Sequence, residues 1–286
     1  EDADIDFLFN TSLVDVMVED GTITHAVCSA KSGLFAVSAK VFIDATGDGD
    51  LCAMAGAEYE KGDENGRMQA GTLCSLWSGI DWSRMKIWHD GARMPEAIRE
   101  NIFSVPDISL PGILHTVSDS GWGNVGHVFG ADGTDEQSVT LAVLDARRRI
   151  PEYETYYRRF VPGAENAVML WTAAYLGLRE SRRIMGDYVL NVEDFKRQAV
   201  FPDEIGRYAY PVDLHAPHPM RERAKDDVFQ RLRYRNPGES YGIPYRCLIP
   251  RLLKNVLVAG RCVSTDRYMQ GSLRVQPGCH ITGQAA

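Results

Sequence analysis

The sequence predicts a mixed α/β (α+β) protein in which one domain is inserted into another. Short strand-like runs fill residues 5–45 and are separated by turns such as Asp20-Gly21, which predicts an antiparallel β-meander. A long middle region follows, with helical and strand-like patterns mixed. A late apolar run, Val256 to Ala259, then returns to a strand pattern. Such a return is typical of a domain insertion.

The predicted boundaries follow from these observations. Residues 1–66 and 241–286 are assigned to one domain, and residues 67–240 to the domain inserted into it. The predicted strands of the first domain are Ile5 to Phe9, Leu13 to Val18, Ile23 to Ala30, Leu34 to Val37, Lys40 to Asp44 and Val256 to Ala259. A short helix is predicted from Leu51 to Gly56.

The inserted region is predicted to contain one clear amphipathic helix. Thr134 and Gln137 have the spacing of a capping box, and apolar residues then recur at helical intervals from Val139 to Ile150. Pro151 is expected to kink or end this helix. Upstream, a strand is predicted from Thr72 to Ile80 and a helix from Trp82 to Asn101.

Composition excludes several classes of protein. The 286 residues carry a formal charge of −8, which argues against a general nucleic-acid binder because phosphate binding needs a basic face. The longest nearly apolar run, Ala167 to Leu178, is too short to span a bilayer. Six cysteines without C-x-x-C spacing favour free thiols, a cytoplasmic location and no structural metal site.

One glycine motif is not assigned to a nucleotide. Gly121 to Gly126 matches G-x-G-x-x-G, but that fingerprint has mechanical meaning only between a buried strand and a helix. Here a polar segment precedes it and a strand-like run follows it.

Two other glycine-containing loops follow apolar strand-like runs. Ala45-Thr46-Gly47-Asp48 follows the first run, and Gly260-Arg261 follows the second. Glycine lets the backbone approach a ligand, and Thr, Asp and Arg side chains can hydrogen-bond it. For the first loop, an ordinary tight turn with Asp48 or Asp50 capping the next helix is an equal alternative.

The middle region holds the candidate catalytic residues. The guanidinium groups in Arg179-Glu-Ser-Arg182-Arg183 suit a clamp on an anionic substrate, and the alternative is a charged surface turn with local ion pairs. His215, in a proline-rich loop, is a candidate proton donor or acceptor. The spacing of Asp213, His215 and His218 does not by itself predict a metal site.

Taken together, these segments resemble the FAD-dependent oxidoreductases of the glutathione-reductase-like class. The resemblance covers nearly the whole chain in order, and it is carried by Val41 to Leu51, Ala55 to Ala57, Leu176 to Asp187, Pro211 to His215, Ile243 to Pro250 and Asn255 to Ala286. It implies a partial glutathione-reductase-like FAD-binding domain with an antiparallel β-meander, plus an inserted mixed α+β substrate or cap domain.

The resemblance also implies roles for single residues. FAD is the implied cofactor, with Ala45, Thr46, Gly47 and Asp48 beside the dinucleotide and Gly260 and Arg261 near its ribityl or pyrophosphate region. Gly283, Gln284 and Ala285 are expected to open a helix that faces the pyrimidine end of the flavin, and Arg274 to stand close to the ring. Arg179, Arg182 and His215 are expected to meet a small-molecule substrate.

The sequence departs from the family pattern at both ends. It does not show the strand–G-x-G-x-x-G–helix unit with which the family begins, nor the continuation of the last helix, so a fragment of a flavoenzyme is expected. Two hypotheses follow: an FAD-dependent hydride-transfer enzyme, or a flavin-free remnant that binds a ligand or partner. No nucleic-acid or membrane partner is expected, and a homo-oligomer or a separate chain supplying the nucleotide-binding unit stays open.

Overall fold

The structure, a computed structural model, describes residues 5–86, 91–109, 112–220 and 232–286. The described chain divides into two compact units. Unit 1 takes in the described parts of Glu1–Lys61, Arg182–Asp213 and Leu232–Ala286, and unit 2 those of Gly62–Ser181 and Leu214–Arg231.

The secondary structure of the described residues alternates short strands with helices. The strands are β1 (Ser12–Glu19), β2 (Thr22–Ala30), β3 (Gly33–Val37), β4 (Phe42–Asp44), β5 (Tyr59–Lys61), β6 (Ser75–Ser78), β7 (Ile113–His115), β8 (Gly121–Gly123), β9 (Val168–Thr172), β10 (Arg182–Ile184), β11 (Glu204–Tyr208), β12 (Tyr241–Pro244) and β13 (Val256–Val258). The helices are α1 (Asp50–Met54), α2 (Met94–Arg99), α3 (Glu136–Phe160), α4 (Val192–Lys196), α5 (Arg267–Leu273) and α6 (Gln276–Ala285). The chain is thus mixed α/β, with mostly antiparallel sheets.

The predicted meander is present in unit 1. Strands β1, β2 and β3 form a three-stranded antiparallel sheet in that order. Asp20 and Gly21 both adopt positive φ at the first turn, as that turn requires. The predicted strand from Ile5 to Phe9 is wrong: these residues lie outside any strand and are exposed, so no burial holds them in a sheet.

A parallel pair of strands joins the two ends of unit 1. Strand β13 pairs with β4 in parallel, with Val256 opposite Phe42 and Val258 opposite Asp44. Asn255 fixes the approach to this pair, because its side chain accepts the N–H of Ile23 at 2.9 Å and donates to the carbonyl oxygen of Ile23 at 2.9 Å. The late strand therefore returns to the first domain, as the sequence predicts.

Two further strand pairs decide where residues 182–213 belong. Strand β10 pairs with β5, and β11 pairs with β12, in both cases antiparallel. These pairings place 182–213 in unit 1, whereas the sequence predicts an inserted domain over 67–240 that includes this segment. Tyr241 on β12 is fully buried, and its hydroxyl is 2.9 Å from the hydroxyl of Ser272 on α5.

Unit 2 combines a four-stranded antiparallel sheet, in the order β7-β8-β6-β9, with the long helix α3. The G-x-G-x-x-G match begins on strand β8 and does not lead into a helix. Trp77 on β6 is fully buried against Tyr157 on α3, with ring centroids 5.2 Å apart. This aromatic contact belongs to the main core of the unit.

Helix α3 differs from its prediction at two points. Its N-cap is Asp135, whose side chain accepts the N–H of Ser138, so the predicted capping by Thr134 is wrong. The helix also continues through Pro151 to Phe160. A proline inside a helix costs about 3 kcal/mol. The buried aromatic side chains beyond it, each stabilising by about 2 kcal/mol, outweigh that cost.

The predicted helix from Trp82 to Asn101 is much shorter in the structure. Helix α2 covers Met94–Arg99, with Pro95 in its first turn, where a missing N–H does no harm. Residues 87–90 lie outside the described part of the chain. Of the helices that the structure describes, none has both the length and the apolar character needed to cross a membrane.

Candidate functional site

A buried carboxylate shapes the loop that follows β4. Asp44 is 1% exposed and accepts three hydrogen bonds: from the N–H of Thr46 at 3.1 Å, from the hydroxyl of Thr46 at 2.8 Å and from the N–H of Cys52 at 2.9 Å. A carboxylate can satisfy several donors at once, so one side chain fixes both the loop and the start of α1.

The same loop begins α1 without an aspartate cap. Gly49 occupies the N-cap position with left-handed backbone angles, and it makes no side-chain cap. The hydroxyl of Thr46 instead accepts the N–H of Asp50 at 2.9 Å. The alternative in which Asp48 or Asp50 caps the helix is therefore wrong, and both carboxylates have other partners.

Arg261 joins the loop after β13 to the loop after β4. Its Nε donates to the carbonyl oxygen of Gly47 at 3.0 Å, and its Nη2 donates to the carboxylate of Asp48. Gly47 has φ +82, and a Cβ there would stand 3.2 Å from Nη2 of Arg261. The two loops that the sequence singled out thus meet at the carboxyl ends of two parallel strands, where open α/β sheets bind ligands.

Gly260 leaves open space beside this junction. It has φ +87, and apart from its two chain neighbours no atom of the described residues lies within 4 Å of the position that a Cβ would take. Its N–H donates to the hydroxyl of Thr282, a buried residue of α6, at 2.9 Å. A backbone without a side chain, beside a fixed guanidinium group, fits the close approach of the pyrophosphate or ribityl part of FAD.

The last helix does not begin where the resemblance implied. Helix α6 begins at Gln276, with Val275 as N-cap and Pro277 in the first turn. Gly283, Gln284 and Ala285 lie in its last turn and are not its opening residues. The expectation that they open the helix is wrong, because proline is preorganised for the first turn and starts the helix two turns earlier.

Arg274 and Arg182 also lie in unit 1. Arg274, between α5 and α6, donates to the backbone oxygen of Asp213 at 3.0 Å and to its carboxylate at 3.1 Å. Arg182 donates to the backbone oxygen of Asp48 at 3.1 Å and to the carboxylate of Asp50 at 2.7 Å. Arg182, predicted to meet the substrate, therefore braces the loop after β4.

Arg179 lies in unit 2 and is buried. Its guanidinium group donates to the backbone oxygen of Ala70 at 2.6 Å, to the hydroxyl of Thr72 at 2.9 Å and to Asn124 at 3.2 Å. The neighbouring Glu180 is 1% exposed and accepts the N–H of Gln69 at 3.0 Å. The alternative of a charged surface turn is wrong for this part of the motif.

His215 ends a line of three hydrogen-bonded side chains in unit 2. Nδ1 of His215 is 2.8 Å from Nε2 of His127, and Nδ1 of His127 is 2.9 Å from Oδ2 of Asp107. Asp107 and His127 are both buried, whereas His215 is partly exposed. The backbone N–H of His215 donates to the side chain of Gln69 at 3.1 Å, which fixes the ring's attachment point.

The two inner members of this line have shifted pKa values. Burial lowers the pKa of His127, and nearby Arg179 and Arg149 act in the same direction. Burial alone would raise the pKa of Asp107, but hydrogen bonds from His127 and from the N–H groups of Met220 and Ser109 outweigh it, and the pKa is lowered. At neutral pH, Asp107 is a carboxylate and His127 is a neutral imidazole.

Four cysteines of unit 1 have a raised pKa. Burial raises the pKa of Cys52, and the Asp44 carboxylate adds to the effect. Burial likewise raises the pKa of Cys247 and of Cys262 to about 12. The pKa of Cys279 is raised by burial too, although Arg261 and Arg274 oppose the shift. These thiols stay protonated at neutral pH and are not nucleophiles.

The arrangement of the His and Asp side chains bears on metal binding. Within the described ranges, no three His, Cys, Asp or Glu side chains are arranged to hold a metal ion. The 2.8 Å between nitrogens of His127 and His215 is also shorter than the roughly 3.3 Å expected between two nitrogen ligands of one tetrahedral zinc.

Sequence reasoning did not identify several residues of these sites. Asp44 was treated as the end of a strand, although it organises the loop after it. Thr282 and the true start of α6 were also missed. Asp107 and His127 are 20 residues apart, and His127 and His215 are 88 apart, so no local pattern indicates that they meet.

Comparison with known proteins gives one family. The family model described as FAD dependent oxidoreductase matches residues 1–286. Searches of curated proteins and of solved structures gave no significant match.

Proposed function

The chain belongs to the FAD dependent oxidoreductase family, and from that premise we propose that it takes part in hydride transfer between a small organic substrate and FAD. The observation that carries the proposal is the junction at the ends of β4 and β13. There Arg261 ties Gly47 and Asp48 to the loop that contains Gly260, and space is left beside Gly260.

Unit 1 would hold the cofactor. The loop from Ala45 to Asp48 and the pair Gly260-Arg261 offer a close backbone approach and a fixed positive charge, which suit a dinucleotide. The first turn of α6, at Gln276, replaces Gly283 to Ala285 as the proposed helix N-terminus, since backbone N–H groups there favour electron-rich atoms. When bound, FAD supplies the hydride chemistry, and the protein supplies position and charge.

Unit 2 would hold the substrate-facing groups. His215 is the proposed proton acceptor or donor, because it is partly exposed and its ring is held by His127. Arg179 is proposed to hold the backbone that positions His215. Its guanidinium group donates to the backbone oxygen of Ala70, next to Gln69, and the Gln69 side chain accepts the N–H of His215. This replaces the expectation of a direct substrate clamp at Arg179.

A flavin-binding assay tests the proposal. The purified chain is titrated with FAD and passed over a gel-filtration column while its visible absorption is recorded. Flavin bands that travel with the protein support the proposal. A colourless protein fraction after saturation with FAD would overturn it for this chain and favour the flavin-free binding module.

A further inference from the structure

The line Asp107–His127–His215 fixes where its protons lie. Oδ1 of Asp107 is the acceptor for two backbone N–H groups, those of Ser109 at 3.3 Å and Met220 at 3.2 Å. Its Oδ2 is 2.9 Å from Nδ1 of His127. A carboxylate can only accept, so Nδ1 of His127 must carry the hydrogen.

The second link follows from the first. His127 is a neutral imidazole, and a neutral ring with a hydrogen on Nδ1 has a lone pair on Nε2. That nitrogen is 2.8 Å from Nδ1 of His215, so Nδ1 of His215 must donate to it. In neutral His215 the lone pair then lies on Nε2.

We propose that Asp107 and His127 are positioning residues that hold His215 in the Nδ1–H form, so that Nε2 of His215 is its proton-accepting nitrogen. When a substrate X–H bond breaks, its electron pair stays on X, and the proton forms an N–H bond at Nε2 of His215, which becomes an imidazolium. The proton on its Nδ1 can then shift toward His127, and the positive charge approaches the Asp107 carboxylate. The proposal rests on the proposed function, in which the substrate also loses a hydride and FAD would accept it.

The alternative is that His127 is simply a buried histidine with satisfied hydrogen bonds. In that alternative the hydrogen bond between His127 and His215 does not persist in solution, and the form of His215 does not depend on Asp107. The Asp107 contacts separate the two cases, because they predict what Asp107→Asn does. The Ser109 and Met220 N–H groups require an oxygen at the Oδ1 position, so the new amide N–H₂ must face Nδ1 of His127. His127 then becomes the Nε2–H form and forces His215 into the Nε2–H form as well.

NMR of the full chain labelled with ¹⁵N-histidine tests this inference. The chain has seven histidines. The variants His127→Gln, His215→Gln and His218→Gln each remove one set of signals, which assigns the signals of these three residues. The unaltered protein is expected to show Nδ1–H forms for both His127 and His215. On acidification, Nε2 of His215 is expected to take up a proton before either ring of the line loses its Nδ1 hydrogen. In Asp107→Asn, the hydrogen of both rings is expected to lie on Nε2, and the lone pair on Nδ1.

An Nε2–H form of His215 in the unaltered protein would overturn the inference, whether or not the variant folds. The inference would also be overturned if Asp107→Asn folds and both rings keep their hydrogen on Nδ1. Zinc chloride that shifts both rings at stoichiometric amounts would also overturn it, by showing a metal site. Flavin uptake does not enter these readouts, so a chain that binds no FAD but shows the expected ring forms would refute the proposed function alone.

Discussion

Arg261 donates its Nε–H to the carbonyl oxygen of Gly47 at 3.0 Å, and this bond links the loops that follow two parallel strands. The second donor of the same guanidinium group binds Asp48, so the loop is held at its backbone and at a side chain. Both loops lie at the strand ends where a cofactor is proposed to bind. Arg261 therefore links the two loops of the proposed site, in addition to the bonds that Asp44 and Arg182 make to the first of them.

Replacing Arg261 should weaken flavin uptake without unfolding the chain. Arg261→Ala removes the hydrogen bonds to Gly47 and Asp48, and the loops lose this link. Hydrogen bonds of a charged group stabilise by about 1.5 to 3 kcal/mol each. We expect FAD affinity to fall about 10- to 100-fold by titration. Arg251→Ala is the control, because Arg251 lies in the same unit and its side chain makes an exposed ion pair with Glu58 at 4.0 Å. Equal losses in the two variants would contradict the assignment.

Filling the space at Gly260 should block the cofactor. Gly260→Ala places a methyl group in the open space and strains a backbone at φ +87, at a cost of about 1 to 2 kcal/mol. Gly238→Ala is a matched control, since Gly238 also has φ +87 and, among the described residues, no atom beyond its chain neighbours within 4 Å of a Cβ position. Thermal unfolding should show similar losses for both variants, and FAD titration should show weakened binding for Gly260→Ala alone. Unchanged FAD binding in Gly260→Ala would remove Gly260 from the site.

Asp44 is expected to contribute to stability more than its position at a strand end suggests. Asp44→Ala leaves the N–H of the buried residue Cys52 without its acceptor, and it also removes the acceptor of the Thr46 N–H. The free energy of unfolding should fall by about 2 to 4 kcal/mol in urea titrations. Asp20→Asn, at an exposed turn residue with positive φ, should change it by less than about 0.5 kcal/mol. A near-neutral Asp44→Ala would show that the loop does not need this carboxylate.

The stability of the folded protein should fall as the pH drops below about 6.5, in part through His127. The folded pKa of His127 lies below its ordinary value, mainly because the ring is buried. In the window between the two values the unfolded chain binds a proton that the folded chain does not, so acidification favours unfolding. His127→Gln should reduce the loss of unfolding free energy between about pH 7.5 and 5.5 by about 1 kcal/mol.

The matched control for this pH dependence is His218→Gln. His218 is exposed and lies three residues from His215 in the same loop. The unfolding free energy, measured by urea titration at the two pH values, should change with pH by the same amount in His218→Gln as in the unaltered protein. If His127→Gln also leaves this change with pH unaltered, His127 is not held neutral by burial.

Local patterns predicted much of the fold and part of the candidate site. The meander and the body of α3 follow from short-range periodicity, and the returning strand β13 follows from its apolar composition. The loops at Gly47 and Gly260 were found because glycine after a buried strand is a local feature.

Other features depend on contacts between distant residues, which one sequence does not reveal. The pairing of β10 with β5 moves 182–213 into unit 1, and no pattern within that segment indicates its partner. The continuation of α3 through Pro151 depends on aromatic burial elsewhere in unit 2. The line from Asp107 to His215 likewise joins three separate parts of the sequence.

The parallel pairing of β4 with β13 has a consequence for the order of folding. The bond from Arg261 to Gly47 spans 214 residues, whereas β1 and β2 are joined by a tight turn. Contacts between distant residues form late, because closing a long loop loses chain entropy before any stabilising contact can form. During synthesis the meander can therefore form early, while the proposed cofactor loops meet only after the residues up to Arg261 have left the ribosome.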